Sequence, residues 1–121
     1  MGLDMYLIIK TDHGDFEAAY WRKANQIHDW FVKNVQGGVD DCDEYPVTPG
    51  ELMILVDTCQ RVLADHDLAE ELLPTSSGFF FGSTDYDQYY FKDLEDTIER
   101  ITMALDRYSG IGTQFYYQSS R

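Results

Sequence analysis

The chain has 121 residues, of which 44% are hydrophobic and 15% aromatic, so it is long and apolar enough for one folded domain over 1–121. Its formal charge is −13, with 22 acidic and 9 basic side chains. Direct nucleic-acid binding is disfavoured, because phosphate contacts need clustered Lys and Arg. The acids either form a solubilising surface or act as a decoy for a basic partner.

No apolar run approaches the roughly 20 residues that cross a bilayer, and the first residues lack the basic and apolar regions of a signal peptide. Cys42 and Cys59 fit no metal-ligand spacing, and Cys59 lies on an apolar helical stripe. We therefore expect a cytoplasmic protein with reduced thiols, no cofactor, no metal and no membrane contact.

The N-terminal half begins with a strand, because apolar residues alternate over 3–9. A turn cluster at 11–15 and a second strand at 16–20 complete a hairpin. From Trp21 the apolar residues recur at helical spacing, which predicts a helix that starts there and stops before Gly37 and Gly38. Residues 39–44 form an acidic loop.

The middle of the chain carries a strong helix start, in which Thr48 and Glu51 form a capping box around Pro49. The helix presents one apolar stripe over 52–63. A short helix is predicted at 68–73, ended by Pro74.

In the last third, the apolar run 79–81 suits a short strand or a wall of the core. Thr84 is predicted to cap a long helix, with Asp85 and Asp87 in its first turn. Alternation over 111–118 predicts a final strand. The sum is an α+β fold, in which three main helices pack on a small, mostly antiparallel sheet made of the N-terminal hairpin and the C-terminal strand.

A first motif, residues 20–31, combines aromatic, cationic and amide side chains. Arg22 and Lys23 at a helix start are unfavourable for the helix dipole, which points to a nearby anion, either a ligand or one of the chain's own carboxylates. His28 is either a core histidine with both nitrogens hydrogen-bonded or a pocket histidine that binds a ligand or acts as acid/base. The helical phase places Arg22 away from the face that carries His28.

A second motif, residues 74–91, combines glycines, hydroxyl side chains and a helix N-terminus. Backbone amides at such a position bind anions, although Asp85 and Asp87 argue against a bare phosphate site. The motif lacks the Gly-Lys-Ser/Thr of a P-loop. Its tyrosines either stack on a ligand or pack into the core.

The segments MGLDMYL at 1–7, YWRKANQIH at 20–28, LPT at 73–75 and GFFFGSTDYD at 78–87 resemble those of a widespread family of small uncharacterised proteins. Bacteriophages, prophages and bacteria encode that family. The resemblance extends to about residue 97 and implies a phage or prophage accessory protein in the bacterial cytoplasm. It implies no activity and no site residues.

We therefore predict a non-enzymatic binding or inhibitor protein for counter-defence or host takeover, with a pocket for a small anionic or nucleotide-like ligand. The partner is that ligand or a host or defence protein, and a homo-oligomer is an open alternative. Other hypotheses are an acidic interaction inhibitor such as a DNA mimic, and a small enzyme with an acid/base histidine. The predicted ligand-binding residues are Arg22, Lys23, Asn25, His28, Ser83, Thr84, Tyr86 and Tyr90.

Overall fold

The computed structural model describes residues 2–76, 84–108 and 113–120. Their elements are, in chain order, β1 (Asp4–Thr11), β2 (Gly14–Arg22), α1 (Asn25–Asn34), β3 (Tyr45–Val47), α2 (Pro49–Ala64), a 3-10 helix (His66–Leu68), α3 (Ala69–Leu72), α4 (Gln88–Arg107) and β4 (Gln114–Ser120). This confirms the predicted α+β fold, an antiparallel sheet with three main helices. In these parts of the chain no helix is long and apolar enough to cross a membrane.

The sheet has the strand order β2-β1-β4-β3, and all its pairs are antiparallel. The predicted hairpin and C-terminal strand are therefore confirmed. The sequence analysis missed β3, which has three residues and contains Pro46, a residue that is rare in strands. One face of the sheet forms the core, through the buried side chains Leu3, Met5, Leu7, Ile9, Ala19, Trp21, Val47, Phe115 and Tyr117.

A β-bulge interrupts the hairpin. Leu7 pairs with Ala19, but the next residue, Ile8, pairs with Glu17, so Ala18 is an extra residue in β2. The bulge shifts the alternation of β2 by one position while β1 keeps a strict alternation.

The start of α1 differs from the prediction. Trp21 and Arg22 belong to β2, where they pair with Met5 and Asp4, and α1 begins only at Asn25. Trp21 is held in the sheet because its indole is buried and its Nε1 donates a hydrogen bond of 2.9 Å to Thr97 Oγ1 in α4. The cations at 22 and 23 therefore precede the helix rather than form its first turn.

The capping box of α2 is present as predicted. Glu51 N donates to Thr48 Oγ1 at 3.1 Å, and Thr48 N donates to Glu51 Oε1 at 2.9 Å. Leu52, Leu55, Cys59 and Val62 form the buried stripe. Burial raises the pKa of the Cys59 thiol to about 12, as befits an unreactive core cysteine.

The start of α4 also differs from the prediction. Asp87, not Thr84, caps this helix, because Asp87 Oδ1 accepts hydrogen bonds from the backbone amides of Tyr89 and Tyr90, each at 3.1 Å. Asp85 and Asp87 therefore precede the first turn. The predicted run at 79–81, the site residue Ser83 and the helix stop at 109–110 lie outside the described residues.

Candidate functional site

A pocket of about 240 Å³ lies between the β2–α1 connection and the beginning of α4. We call it the charged pocket. It brings parts of both predicted motifs together, including four of the predicted ligand-binding residues: Arg22, Lys23, Asn25 and Tyr90. The full lining is Arg22, Lys23, Asn25, Gln26, Asp85, Asp87, Tyr89, Tyr90 and Asp93.

A strained turn presents the two cations. Lys23 has a φ of 57°, the left-handed region, which costs a non-glycine residue about 1–2 kcal/mol. Its amide donates a hydrogen bond of 2.7 Å to Leu3 O, which fixes the turn against the N-terminal segment. The arrangement reverses the expectation for Arg22, whose side chain lines the pocket instead of pointing away from the site.

Gly2 leaves room for the side chain of Lys23. A Cβ atom on Gly2 would lie 2.8 Å from Lys23 Cε and 3.9 Å from Arg22 Nη2, so both cationic side chains pass over this glycine. Gly2 also has a φ of 153°, which disfavours other residues. The glycine is visible in the MGLD segment of the sequence, but its contact with the Lys23 side chain appears only in the three-dimensional structure.

Amide side chains at the start of α1 join the two motifs. Asn25 Oδ1 accepts a hydrogen bond of 2.9 Å from Ser76 N, and Gln26 Nε2 donates one of 3.3 Å to Tyr90 O. Both side chains are almost fully buried. Because a buried polar group without a hydrogen-bond partner destabilises the fold, these two hydrogen bonds hold α1 against the second motif. They also define one side of the charged pocket.

The opposite side of the pocket is acidic, through Asp85, Asp87 and Asp93. Burial raises the pKa of Asp93 to about 6, although a hydrogen bond from Gln26 acts in the opposite direction. Three carboxylates therefore face two cations. This arrangement suits a ligand that carries an anionic group at one end and hydrogen-bond donors at the other.

Five lining residues were not among the predicted ligand-binding residues: Gln26, Asp85, Asp87, Tyr89 and Asp93. Tyr89, Tyr90 and Asp93 follow the spacing of one helical face, so the pattern existed in the sequence. It could not be used without knowing that this face of α4 lies opposite α1. Tyr89 is 71% exposed.

The remaining predicted residues of the second motif have structural contacts. Tyr86 Oη accepts a hydrogen bond of 3.1 Å from Thr75 N, and Thr84 O accepts one of 2.9 Å from Thr75 Oγ1. Tyr90 Oη donates one of 2.6 Å to Leu73 O, which leaves only part of Tyr90 at the pocket. Thr84 and Tyr86 do not line the charged pocket.

His28 lies outside the charged pocket, contrary to its predicted place in the site. It is 1% exposed, its Nδ1 is 2.6 Å from Tyr117 Oη, and its Nε2 is 2.9 Å from Asp40 Oδ1. A carboxylate only accepts, so Nε2 carries a proton and donates to Asp40. His28 thus has the predicted core arrangement with both nitrogens hydrogen-bonded, and it cross-links α1, β4 and the 39–44 loop.

Within the described ranges, no three His, Cys, Asp or Glu side chains cluster in a way that could hold a metal ion. No protein-family model, curated protein or solved structure matches the chain. Its function must therefore be argued from the charged pocket and the surfaces around it.

Proposed function

We propose that this chain is a non-enzymatic binding protein whose charged pocket takes a small, nucleotide-like ligand with one anionic group. The anionic group meets Arg22 and Lys23. Hydrogen-bond donors of the same ligand meet the carboxylates of Asp85, Asp87 and Asp93, and the exposed ring of Tyr89 offers a flat apolar surface for stacking.

The proposal rests on the ion pairing of the two pocket cations, Arg22 and Lys23. Elsewhere in the chain Lys10, Lys33, Lys92 and Arg100 each form an ion pair with a carboxylate. Arg22, Lys23, Arg61 and Arg107 form no ion pair with any described residue, and of these four only Arg22 and Lys23 are adjacent in the chain and line the charged pocket. Two adjacent cations without an ion pair to any described residue are a favourable site for an anion at the mouth of a pocket.

The size of the pocket limits the ligand. A volume of about 240 Å³ is slightly below the roughly 300–1,000 Å³ of typical small-molecule sites. A mononucleotide or a smaller polar anion suits this volume better than a dinucleotide does. The three carboxylates also favour a single phosphate over a chain of phosphates, because each added negative charge increases repulsion.

Binding without catalysis is the simplest use of this geometry. The acid/base candidate His28 is buried away from the pocket and holds Tyr117 and Asp40. The resemblance to proteins encoded by phages suggests a role for binding alone, since sequestering a signalling nucleotide would serve counter-defence or host takeover. That context is part of the proposal and rests on the resemblance.

Thermal unfolding in the presence of inorganic phosphate and of AMP, GMP, CMP and UMP tests the proposal. At 100 times its Kd a ligand adds about 2.7 kcal/mol to stability, so at least one nucleotide should raise Tm by several degrees. The double variant Arg22→Gln/Lys23→Gln should lose that shift.

The matched control is Arg107→Gln, which removes a cation in the last turn of α4, about 20 Å from the pocket. It should keep the nucleotide response. The absence of any shift in the wild type, or an equal shift in the double variant, would refute the pocket as an anion site.

A further inference from the structure

A second concave surface lies between α2 and α4, and we call it the apolar groove. The two helices pack against each other, and residues within 53–60 of α2 and 102–106 of α4 line the groove together. The groove has a volume of about 600 Å³. Its lining is Met53, Val56, Asp57, Gln60, Thr102, Leu105 and Asp106.

Each helix contributes one continuous stripe to the groove. The residues from α2 follow the spacing i, i+3, i+4, i+7, and those from α4 follow i, i+3, i+4. The α2 stripe is distinct from the buried stripe that begins at Leu52. Val56 and Leu105 are half-buried, while Met53 is 62% exposed, so apolar side chains line an open surface.

The charges of the groove have one sign. Among the described residues its lining contains Asp57 and Asp106 and no cation. A second copy of the chain is a poor occupant, because two grooves face to face would bring four carboxylates together between molecules of charge −13. A partner that fits must combine apolar side chains with positive charge.

We propose that the apolar groove binds a Lys- and Arg-rich amphipathic helix of another protein. A helix can lie in a groove between two packed helices, with apolar side chains at i, i+3 or i+4, and i+7. These contact Met53, Val56 and Leu105. The cations beside that stripe pair with Asp57 and Asp106, and the flexible thioether of Met53 adapts to different apolar anchors.

The test uses a fluorescein-labelled peptide of about 18 residues that contains only Leu and Lys, with Leu on one helical face. A second peptide has the same composition in an order that breaks the apolar stripe. Fluorescence anisotropy at about 150 mM salt limits long-range charge attraction. The striped peptide should bind at least about tenfold more tightly than the shuffled one.

Variants locate the binding site. Met53→Ser and the double variant Asp57→Asn/Asp106→Asn should each weaken the striped peptide severalfold. The matched control is Asp12→Asn/Asp15→Asn, which removes the same charge at the exposed hairpin end, far along the chain from both helices. It should bind the striped peptide as the wild type does.

Three results would overturn the proposal. The first is equal binding of the two peptides, and the second is equal weakening by the hairpin variant, since both indicate general charge attraction. The third is a dimer in sedimentation velocity that Met53→Ser dissociates, because the occupant would then be a second copy. Neither the Met53 nor the aspartate variants touch the charged pocket, so its nucleotide response is a separate result.

Discussion

At its first turns α4 borders the charged pocket, and at its last turns, about 20 Å further along, it borders the apolar groove. The pocket has charged groups of both signs around about 240 Å³, whereas the groove has apolar side chains and only carboxylates around about 600 Å³. A small polar molecule can form hydrogen bonds and ion pairs in the charged pocket. The apolar groove offers too few polar groups for such a ligand and suits a helix.

In the two proposals, one helix contributes to two kinds of recognition. Residues that face α1 and the β2–α1 connection are polar and bounded by hydrogen bonds, as with Gln26 and Tyr90. Among the described residues, those of α4 that line the apolar groove beside α2 are not bounded by such hydrogen bonds. The exposed apolar surface there lowers solubility unless a partner covers it. The many acidic side chains of the chain counteract this loss of solubility.

The largest expected effect outside the apolar core concerns a polar cluster that belongs to neither site. His28→Ala should lower the free energy of unfolding by about 3 kcal/mol, because it leaves a cavity and removes a partner of the buried Tyr117 hydroxyl. Urea unfolding measures this change. Tyr117→Phe should cost less, about 1–2 kcal/mol, since the ring stacked on Phe31 remains.

The same His28→Ala protein, measured below its lower Tm, should keep the nucleotide response of the charged pocket. Wild-type stability combined with a lost nucleotide response would place His28 in the site and break the division between core and pocket.

A pH series sharpens the contrast between the two ends of α4. The fold raises the pKa of Asp93 to about 6 from an ordinary 3.8, so it disfavours the ionised form. That penalty is absent below about pH 4 and complete above about pH 6, so it lowers stability as pH rises. The free energy of unfolding of Asp93→Asn should therefore rise relative to that of the wild type across this window, by about 1–2 kcal/mol after allowance for solvent screening.

Asp106→Asn, at the exposed rim of the groove, is the matched control for this series. Urea midpoints at pH 4, 5, 6 and 7 should separate Asp93→Asn from the wild type progressively and leave Asp106→Asn parallel to it. Parallel curves for all three proteins would mean that Asp93 is not desolvated.

A smaller effect is expected from the strained turn. Lys23→Gly should raise the free energy of unfolding by about 0.5–1 kcal/mol, because glycine adopts a φ of 57° without strain and the loss of unfolded-state order offsets only part of the gain. The same change should abolish the nucleotide response. Lys23→Ala removes the charge but keeps the strain, so it should lose the response without a gain in stability.

The smallest effect is expected in the groove. Met53→Ser should change the free energy of unfolding by less than about 0.5 kcal/mol, since the side chain is 62% exposed. Leu55→Ala on the buried stripe of the same helix should cost about 2–5 kcal/mol. Comparable losses in the two variants would assign Met53 to the core rather than to a binding surface.

Local signals predicted much of this fold. The hairpin followed from alternation around a turn cluster, and α2 followed from a capping box whose two hydrogen bonds involve residues only three apart. Such signals are read from neighbouring residues, so they do not depend on the rest of the molecule.

The prediction was wrong where residues distant in the sequence determine the local structure. Trp21 remains in β2 because of partners at positions 5 and 97, and no local pattern contains those pairings. Asp87 caps α4 instead of Thr84, because the helix begins at Gln88 and Asp87 Oδ1 accepts hydrogen bonds from the amides of Tyr89 and Tyr90. The composition of the two motifs predicted that they would lie close together. In the structure Arg22 lines the charged pocket and His28 lies outside it.

The bulge at Ala18 has a consequence for the behaviour of the chain at high concentration. In the described sheet β2 and β3 are the edge strands, and a long regular edge exposes backbone groups on which other chains polymerise. The extra residue breaks the regular spacing of β2, and at the other edge β3 is short and contains Pro46. Both edges therefore resist amyloid-like growth, although the chain exposes aromatic and methionine side chains such as Tyr89 and Met53.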